Sequence, residues 1–284
     1  MAVSLEAFFM SKTIFMSNRL TAFKKLGIQS LLRKIILVLC LTPLGAIAQE
    51  DVEEESATDK KVHAAIADAR RTESDKARDK NRAPFETLKF FRLEDDMTVL
   101  ELLPGRQGWY TKILGPVLAE KGKLYLSIGT SSVAKMIDGQ KGFESTEIIQ
   151  FDGAVPSKVD QRRYTVPELS FGIRKIDMVL TFRNMHNFDT AGRANLNNAA
   201  FHALKKGGYY GVVDHTRRHM QGDSQEVWRR MDPVHVIKEV EAAGFRFVDY
   251  SDLHSKADDE LRYEVGRKSV TGNTDRFTLL FVKP

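Results

Sequence analysis

Short apolar runs alternate with stretches of helical periodicity along most of this chain. Val99 to Leu103, Lys123 to Ile128, Lys175 to Phe182 and Tyr209 to Val213 are nearly continuous in apolar residues, the pattern of strands buried on both faces. Helical patterns follow them: after Gly108, over Ser131 to Gly139, over Ala191 to Leu204 and over Pro233 to Ala243, the last ended by Gly244. Glu147 to Phe151 and Arg163 to Val166 compete for the third strand, and the pattern alone does not choose. Phe245 to Tyr250 and Arg276 to Val282 read as the last two strands, with no clear helix between them. Strands separated by helices predict an α/β fold with a mostly parallel sheet and an antiparallel final strand.

The segment before this alternation has a different character. Gln49 to Thr58 is acidic and reads as a flexible linker, and Lys60 to Asn81 reads as one amphipathic helix with Val62, Ala65, Ile66 and Ala69 on its apolar side. Ala83-Pro84 ends it, and Pro84 starts a second helix running to Arg92. Residues 1–48 resemble an export signal: Lys24, Lys25, Arg33 and Lys34 precede the apolar run Ile35 to Leu41, and Ala46-Ile47-Ala48 supplies a small-residue cleavage site. The apolar stretch is short for a membrane span. The expected organisation is therefore a signal peptide over 1–48, a linker and N-terminal helix over 49–83 and a main domain over 84–284, exported to the periplasm.

Two compositional facts narrow the chemistry. Cys40, the single cysteine, falls inside the leader, so a processed chain has no disulfide, thiolate metal site or cysteine nucleophile. The net charge of +5 also belongs to the leader, because acidic and basic residues balance over the remainder. A balanced body argues against nucleic acid as partner and leaves a small-molecule ligand as the expectation.

In an open α/β sheet, ligands bind beyond the carboxyl ends of the strands. Three polar clusters are expected there. Glu101, Gly105, Gly108, Trp109 and Tyr110 follow the first strand, where a glycine-containing turn into a helix presents backbone N–H groups. Arg183, Asn184, His186 and Asn187 follow the Lys175 to Phe182 strand, and Asp214, His215 and Arg217 follow the next. His186 is a candidate general base, an imidazole titrating in the useful range; a histidine capping the strand end is the alternative. Asp214 and His215 are candidates for a catalytic pair, with a turn cap as the alternative. Of Trp109 and Tyr110, one is expected in the core and one in the pocket. No metal site is expected: His215 and His219 would share a face only on a helix, and this stretch follows a strand. Arg78, Asp79 and Arg82 lie on a charged helix that would ordinarily be solvated.

Four passages carry a resemblance: Arg78 to Pro84 (RDKNRAP), Glu101 to Thr111, Leu180 to Asn187 (LTFRNMHN) and Gly211 to Arg217 (GVVDHTR), joined by the ending Thr274 to Pro284. Together they resemble exported bacterial methyltransferase-like proteins of the class I S-adenosylmethionine-dependent superfamily, across residues 60–284. The resemblance implies a Rossmann-like fold, S-adenosylmethionine as cofactor, and an N-terminal helix around Arg78 to Arg82 closing over the sheet end. It implies a cofactor site at Glu101, Gly105, Gly108, Trp109, Tyr110, Ser127 and Asn184, and chemistry at His186, Asp214 and His215. Two positions depart from the superfamily pattern. Leu103 and Gln107 stand where glycines are usual, and the second strand ends in Ser127-Ile128-Gly129 without the carboxylate that usually holds the ribose, leaving Ser127 or Thr130 for that role. Methyl transfer to a small molecule and non-catalytic binding of a small molecule on the same scaffold both remain open.

Overall fold

The computed structural model describes residues 55–284; the expected leader and most of the acidic linker lie outside them. The N-terminal region is α1 (Ala57–Ala67), α2 (Glu73–Lys76), α3 (Asp79–Arg82) and α4 (Pro84–Phe90). The main domain continues as β1 (Thr98–Leu102), α5 (Thr111–Leu118), β2 (Lys123–Ser127), α6 (Ser131–Ile137), β3 (Thr146–Ile149), β4 (Val155–Pro156), β5 (Tyr164–Thr165) and β6 (Ile176–Phe182). It closes with α7 (Thr190–Ala203), β7 (Leu204–His215), α8 (Pro233–Ala242), β8 (Arg246–Ser251) and β9 (Arg276–Val282).

Seven strands form one sheet in the order β3-β2-β1-β6-β7-β9-β8. Pairings from β3 through β7 are parallel, and β9 runs antiparallel between β7 and β8. The expected α/β class, the mostly parallel sheet and the antiparallel final strand are all present. The competition for the third strand resolves by register: Thr146–Ile149 pairs with β2, whereas Tyr164-Thr165 pairs with Val155-Pro156 in a separate small ribbon.

Alternation along each strand sends side chains into two cores. Leu100, Leu102, Val179, Tyr210, Val212, Leu279 and Phe281 pack against α7 and α8 through Leu196, Ala200, Val236 and Val240. Val99, Met178, Leu180, Val213 and Leu280 face the other way, toward Val62, Leu88, Ile113, Leu114 and Val117 of α1, α4 and α5. All seven residues of β9 are buried, the polar Arg276 and Thr278 included.

The single helix expected over Lys60 to Asn81 is instead three pieces. Asp68 leaves the helix at ψ 140°, and Thr72 starts α2 with a capping box to Asp75. The break lets Arg71, 1% exposed, reach Asp79 and turn the chain back over the sheet end. The linker expected to run through Thr58 ends earlier, because Ser56 caps α1 by accepting from the Asp59 N–H at 3.0 Å. Lys205 to Gly208, directly after α7, lies within β7, which pairs with β6 through a register irregularity. No helix among the described residues is long and apolar enough to cross a membrane.

Candidate functional site

At the carboxyl ends of β1, β2 and β6 the backbone turns sharply. Leu103, Ile128 and Arg183, each the residue after its strand, have φ of 51°, 66° and 63°. A left-handed residue costs about 1–2 kcal/mol when it is not glycine. Three of the eight left-handed non-glycine residues among the described residues fall at this end of the sheet. At Leu103 it answers a sequence departure: the backbone keeps the conformation that a glycine would adopt freely. Asn184 secures this turn, its amide Nδ2 donating to the carbonyls of Leu102 at 3.2 Å and Leu103 at 3.1 Å.

The turn opens a cleft of about 740 Å³ that contains most of the expected cofactor residues: Glu101, Gly105, Gly108, Trp109, Tyr110 and Asn184. Glu101 shares strand parity with Val99 and so points toward α5, where the Thr111 hydroxyl donates to its carboxylate at 2.7 Å. That is its one protein hydrogen bond among the described residues. Burial pushes the Glu101 carboxyl up to about 7, against the partial relief that Thr111 provides. Gly105 sits at φ 73° with open space where a side chain would begin. Gly108 is different: a Cβ there would come within 2.8 Å of Val133 and Met136, so its small size seats α6 against the turn.

The expectation that Trp109 and Tyr110 divide between core and pocket fails. Both are 5% exposed, and both line the cleft floor. Trp109 lies between the guanidinium groups of Arg71 at 4.8 Å and Arg82 at 4.3 Å, and its indole N–H donates to the Asp75 carbonyl. Tyr110 stacks on Phe182 with ring centroids 3.6 Å apart, and its hydroxyl donates to the Arg82 carbonyl at 3.3 Å. Both aromatics therefore fasten α3 over the sheet end.

Ser127 does not line the cleft. Its hydroxyl donates across the sheet to the Ile149 carbonyl at 3.0 Å. Ser132, at the start of α6, lines the cleft in its place.

The histidine cluster also differs from the expected pairing. His186 Nδ1 lies 2.6 Å from Asp214 Oδ1, and the His186 backbone N–H donates to Asp214 Oδ2 at 3.1 Å. Asp214 therefore pairs with His186 rather than with the His215 side chain. Consecutive strand residues point to opposite faces: Asp214 has the parity of Val212, and His215 that of Val213. His215 Nδ1 instead meets the Thr274 hydroxyl at 2.9 Å, and burial with His186 and Arg276 nearby holds its imidazole well below the ordinary histidine range. His219 bonds Asp232 at 2.9 Å, so the two histidines diverge, and no cluster of three metal-type side chains forms among the described residues. The His186–Asp214 pair is not part of the cleft lining, although Asp214 lies close enough to Arg183 to act on its charge.

Four arginines line the cleft: Arg78, Arg82, Arg106 and Arg183. The charge of their helix alone predicts solvation for Arg78 and Arg82, whereas the resemblance implies a helix closing over the sheet end; Arg82 is buried there at 5% exposure, and Arg78 is exposed at the cleft.

No protein-family model and no curated protein matches the sequence. Among solved structures, the chain is similar to a SAM-dependent methyltransferase from Aquifex aeolicus, with a TM-score of 0.51 and 15% identity over 80% of this chain and 98% of that one. It is also similar to the [4+2]-cyclase SpnF, with a TM-score of 0.50 and 13% identity over 72% of this chain and 80% of that one. At such identities the likeness shows the fold alone, and that fold is the Rossmann-like one of SAM-dependent methyltransferases. A methyltransferase and a cyclase on one scaffold illustrate that chemistry is set by the site.

Proposed function

We propose that the protein is an S-adenosylmethionine-dependent methyltransferase acting on a small molecule, with the cofactor in the cleft beyond β1 and β6. The observation that carries this reading is Glu101: a buried carboxylate with one hydrogen bond, beside an open glycine turn, at the strand end where this fold binds ligands. The fit is good at the amino-acid end of the cofactor. The free oxygen of Glu101 suits an ammonium, and a cleft guanidinium suits a carboxylate. At the ribose end only neutral groups are offered, since Ser127 is committed to Ile149 and no carboxylate follows β2. When bound, the cofactor supplies a methyl group activated by its sulfonium.

This chain's own contribution is positional and electrostatic. Asn184 and the left-handed Leu103 fix the turn, and Tyr110 and Trp109 hold α3 as a roof. Asp214, 2.6 Å from His186 Nδ1, orients the imidazole, and His186 is the proton acceptor in this proposal. Export to the periplasm, from the leader's composition, is part of the same proposal.

A second reading, small-molecule binding without chemistry, is favoured by one observation: the His186–Asp214 pair lies outside the cleft lining. Calorimetric titration with S-adenosylmethionine and S-adenosylhomocysteine separates the two. Micromolar binding that weakens in Glu101→Gln supports the methyltransferase. Absence of binding up to millimolar ligand refutes it and leaves the binding protein.

A further inference from the structure

Buried arginines elsewhere in this fold are paired with carboxylates. Arg71 meets Asp79, Arg163 meets Asp160 and Asp223, Arg193 meets Glu239, and Arg230 meets Asp259. Buried Arg82 and half-buried Arg183, both in the cleft, break this rule. Arg82, although 5% exposed, has neither an ion pair nor a side-chain hydrogen bond among the described residues, and the same holds for Arg183, Arg78 and Arg106. Arg276, close enough to act on Arg82 and Arg183, is also 5% exposed; it donates to the Asn81 carbonyl and leaves its Nε without a partner.

The cost of this arrangement is visible in the guanidinium groups themselves. Burial, with Arg183 and Arg78 nearby, pushes Arg82 down to about 8, and burial, with Arg276 and Arg78, pushes Arg183 down to about 10. Arg82 lies over the Trp109 ring and Asp214 acts on Arg183 from nearby, but neither guanidinium has a carboxylate at ion-pair distance, and a ligand can supply that counter-charge. Glu101 is the one acidic residue in the lining, makes no ion pair with Arg82 or Arg183, and cannot balance both. Nor can the proposed cofactor, which carries one carboxylate against an ammonium and a sulfonium and is itself a net cation. Charge balance requires a second, anionic occupant.

We propose that the cleft binds a small molecule bearing an oxyanion, a carboxylate or phosphate, gripped by Arg82 and Arg183 with the exposed Arg78 beside them, and that this molecule is the methyl acceptor. Planar guanidinium groups match such oxyanions bidentately, which lysine does not. The acceptor role rests on the methyltransferase reading above; the anion site does not. In the transfer, the acceptor's nucleophilic atom bonds the methyl carbon as the sulfonium–methyl bond breaks. The sulfur keeps the bonding pair as a neutral thioether, and the nucleophile's proton passes to His186 or to water.

The test is calorimetric titration of the protein at low ionic strength with inorganic phosphate, pyrophosphate and succinate, with and without S-adenosylmethionine. At least one anion should bind saturably, with affinity falling as salt is raised. Arg82→Gln and Arg183→Gln should each weaken it by about tenfold or more, the loss of one charge-assisted pair. Arg183→Lys should recover part of that loss, and Lys268→Gln, an exposed charge outside the cleft lining, should change nothing. Arg183 makes no side-chain hydrogen bond, so its variants keep the test valid if Arg82→Gln does not fold. Failure of all three anions to bind, or equal binding by the arginine variants, overturns the proposal even if S-adenosylmethionine binds. Anion binding without any cofactor binding upholds the anion site and overturns both the acceptor role and the methyltransferase reading.

Discussion

Replacing Glu101 with glutamine should make the protein more stable above neutral pH and leave it unchanged in acid. Glu101 is 2% exposed, and its carboxyl is pushed from 4.5 to about 7 by burial. The folded state therefore holds a proton that the unfolded chain releases near pH 4.5. Between those values the folded state binds more protons, so stability falls as pH rises from 4.5 to 7 and stays reduced above it. At about 1.4 kcal/mol per tenfold, the full loss is about 3 kcal/mol. That is an upper bound, because water in the cleft can solvate the oxygen Thr111 does not reach. Glutamine is isosteric, keeps an oxygen to accept from Thr111, and turns its amide N–H groups toward the cleft. Urea unfolding of both proteins at half-unit steps from pH 4.5 to 8.5 reads the difference directly. Equal stability at pH 4.5 and an advantage of about 1–3 kcal/mol for Glu101→Gln at pH 8 are expected. A gap that is constant across the range, or a variant weaker at pH 8, would refute the assignment of a strained buried carboxylate. A carboxylate retained at such cost is the mark of a ligand-binding group.

His254, 2% exposed between Thr278 and the Arg82 carbonyl, has the opposite sign. Burial lowers it from 6.5 to about 4, so the unfolded chain protonates first and stability falls as pH drops through that window, by about 3 kcal/mol at its end. Because Glu101 opposes this slope, urea midpoints in the Glu101→Gln background should reveal it, and His254→Gln added there should abolish it. Gly105→Ala should cost only about 1–2 kcal/mol for its left-handed φ yet impair ligand titration, whereas Gly108→Ala adds contacts at 2.8 Å and should lower the melting temperature further. Comparing melting temperature with calorimetric affinity for both variants distinguishes them; similar behaviour would deny Gly105 its place facing the ligand. Without added anion, Arg82→Gln should raise stability by about 1 kcal/mol, removing a buried cation that has no carboxylate partner at the cost of its contact with Trp109. In pyrophosphate the wild type should regain that difference, and a destabilised variant in anion-free buffer would show that Arg82 is already satisfied.

What was legible in the sequence was whatever depends on local pattern. Buried strands announced themselves as apolar runs, and their order followed from the helices between them. Glu101, Gly105, Gly108 and Asn184 were found because strand ends are where this architecture puts ligands. What failed depended on tertiary closure. Asp214-His215 looked like a pair along the chain, but strand parity alone separates those side chains, and the partner was His186, 28 residues away. That same parity could have been applied to the sequence, since Val212 and Val213 already define the two faces. Arg71 could not have been read as a helix breaker, because its reason for leaving the helix is a salt bridge that exists only after the turn forms. Arg78, Arg82 and Arg183 were placed at the strand ends, but the lack of carboxylate partners for Arg82 and Arg183 was not legible. An unpaired charge is defined by what does not approach it, and no window of sequence contains that information. A chain balanced in net charge can still concentrate guanidinium groups at one strand end. A site's electrostatics must therefore be judged from its lining, and here the lining calls for an anion.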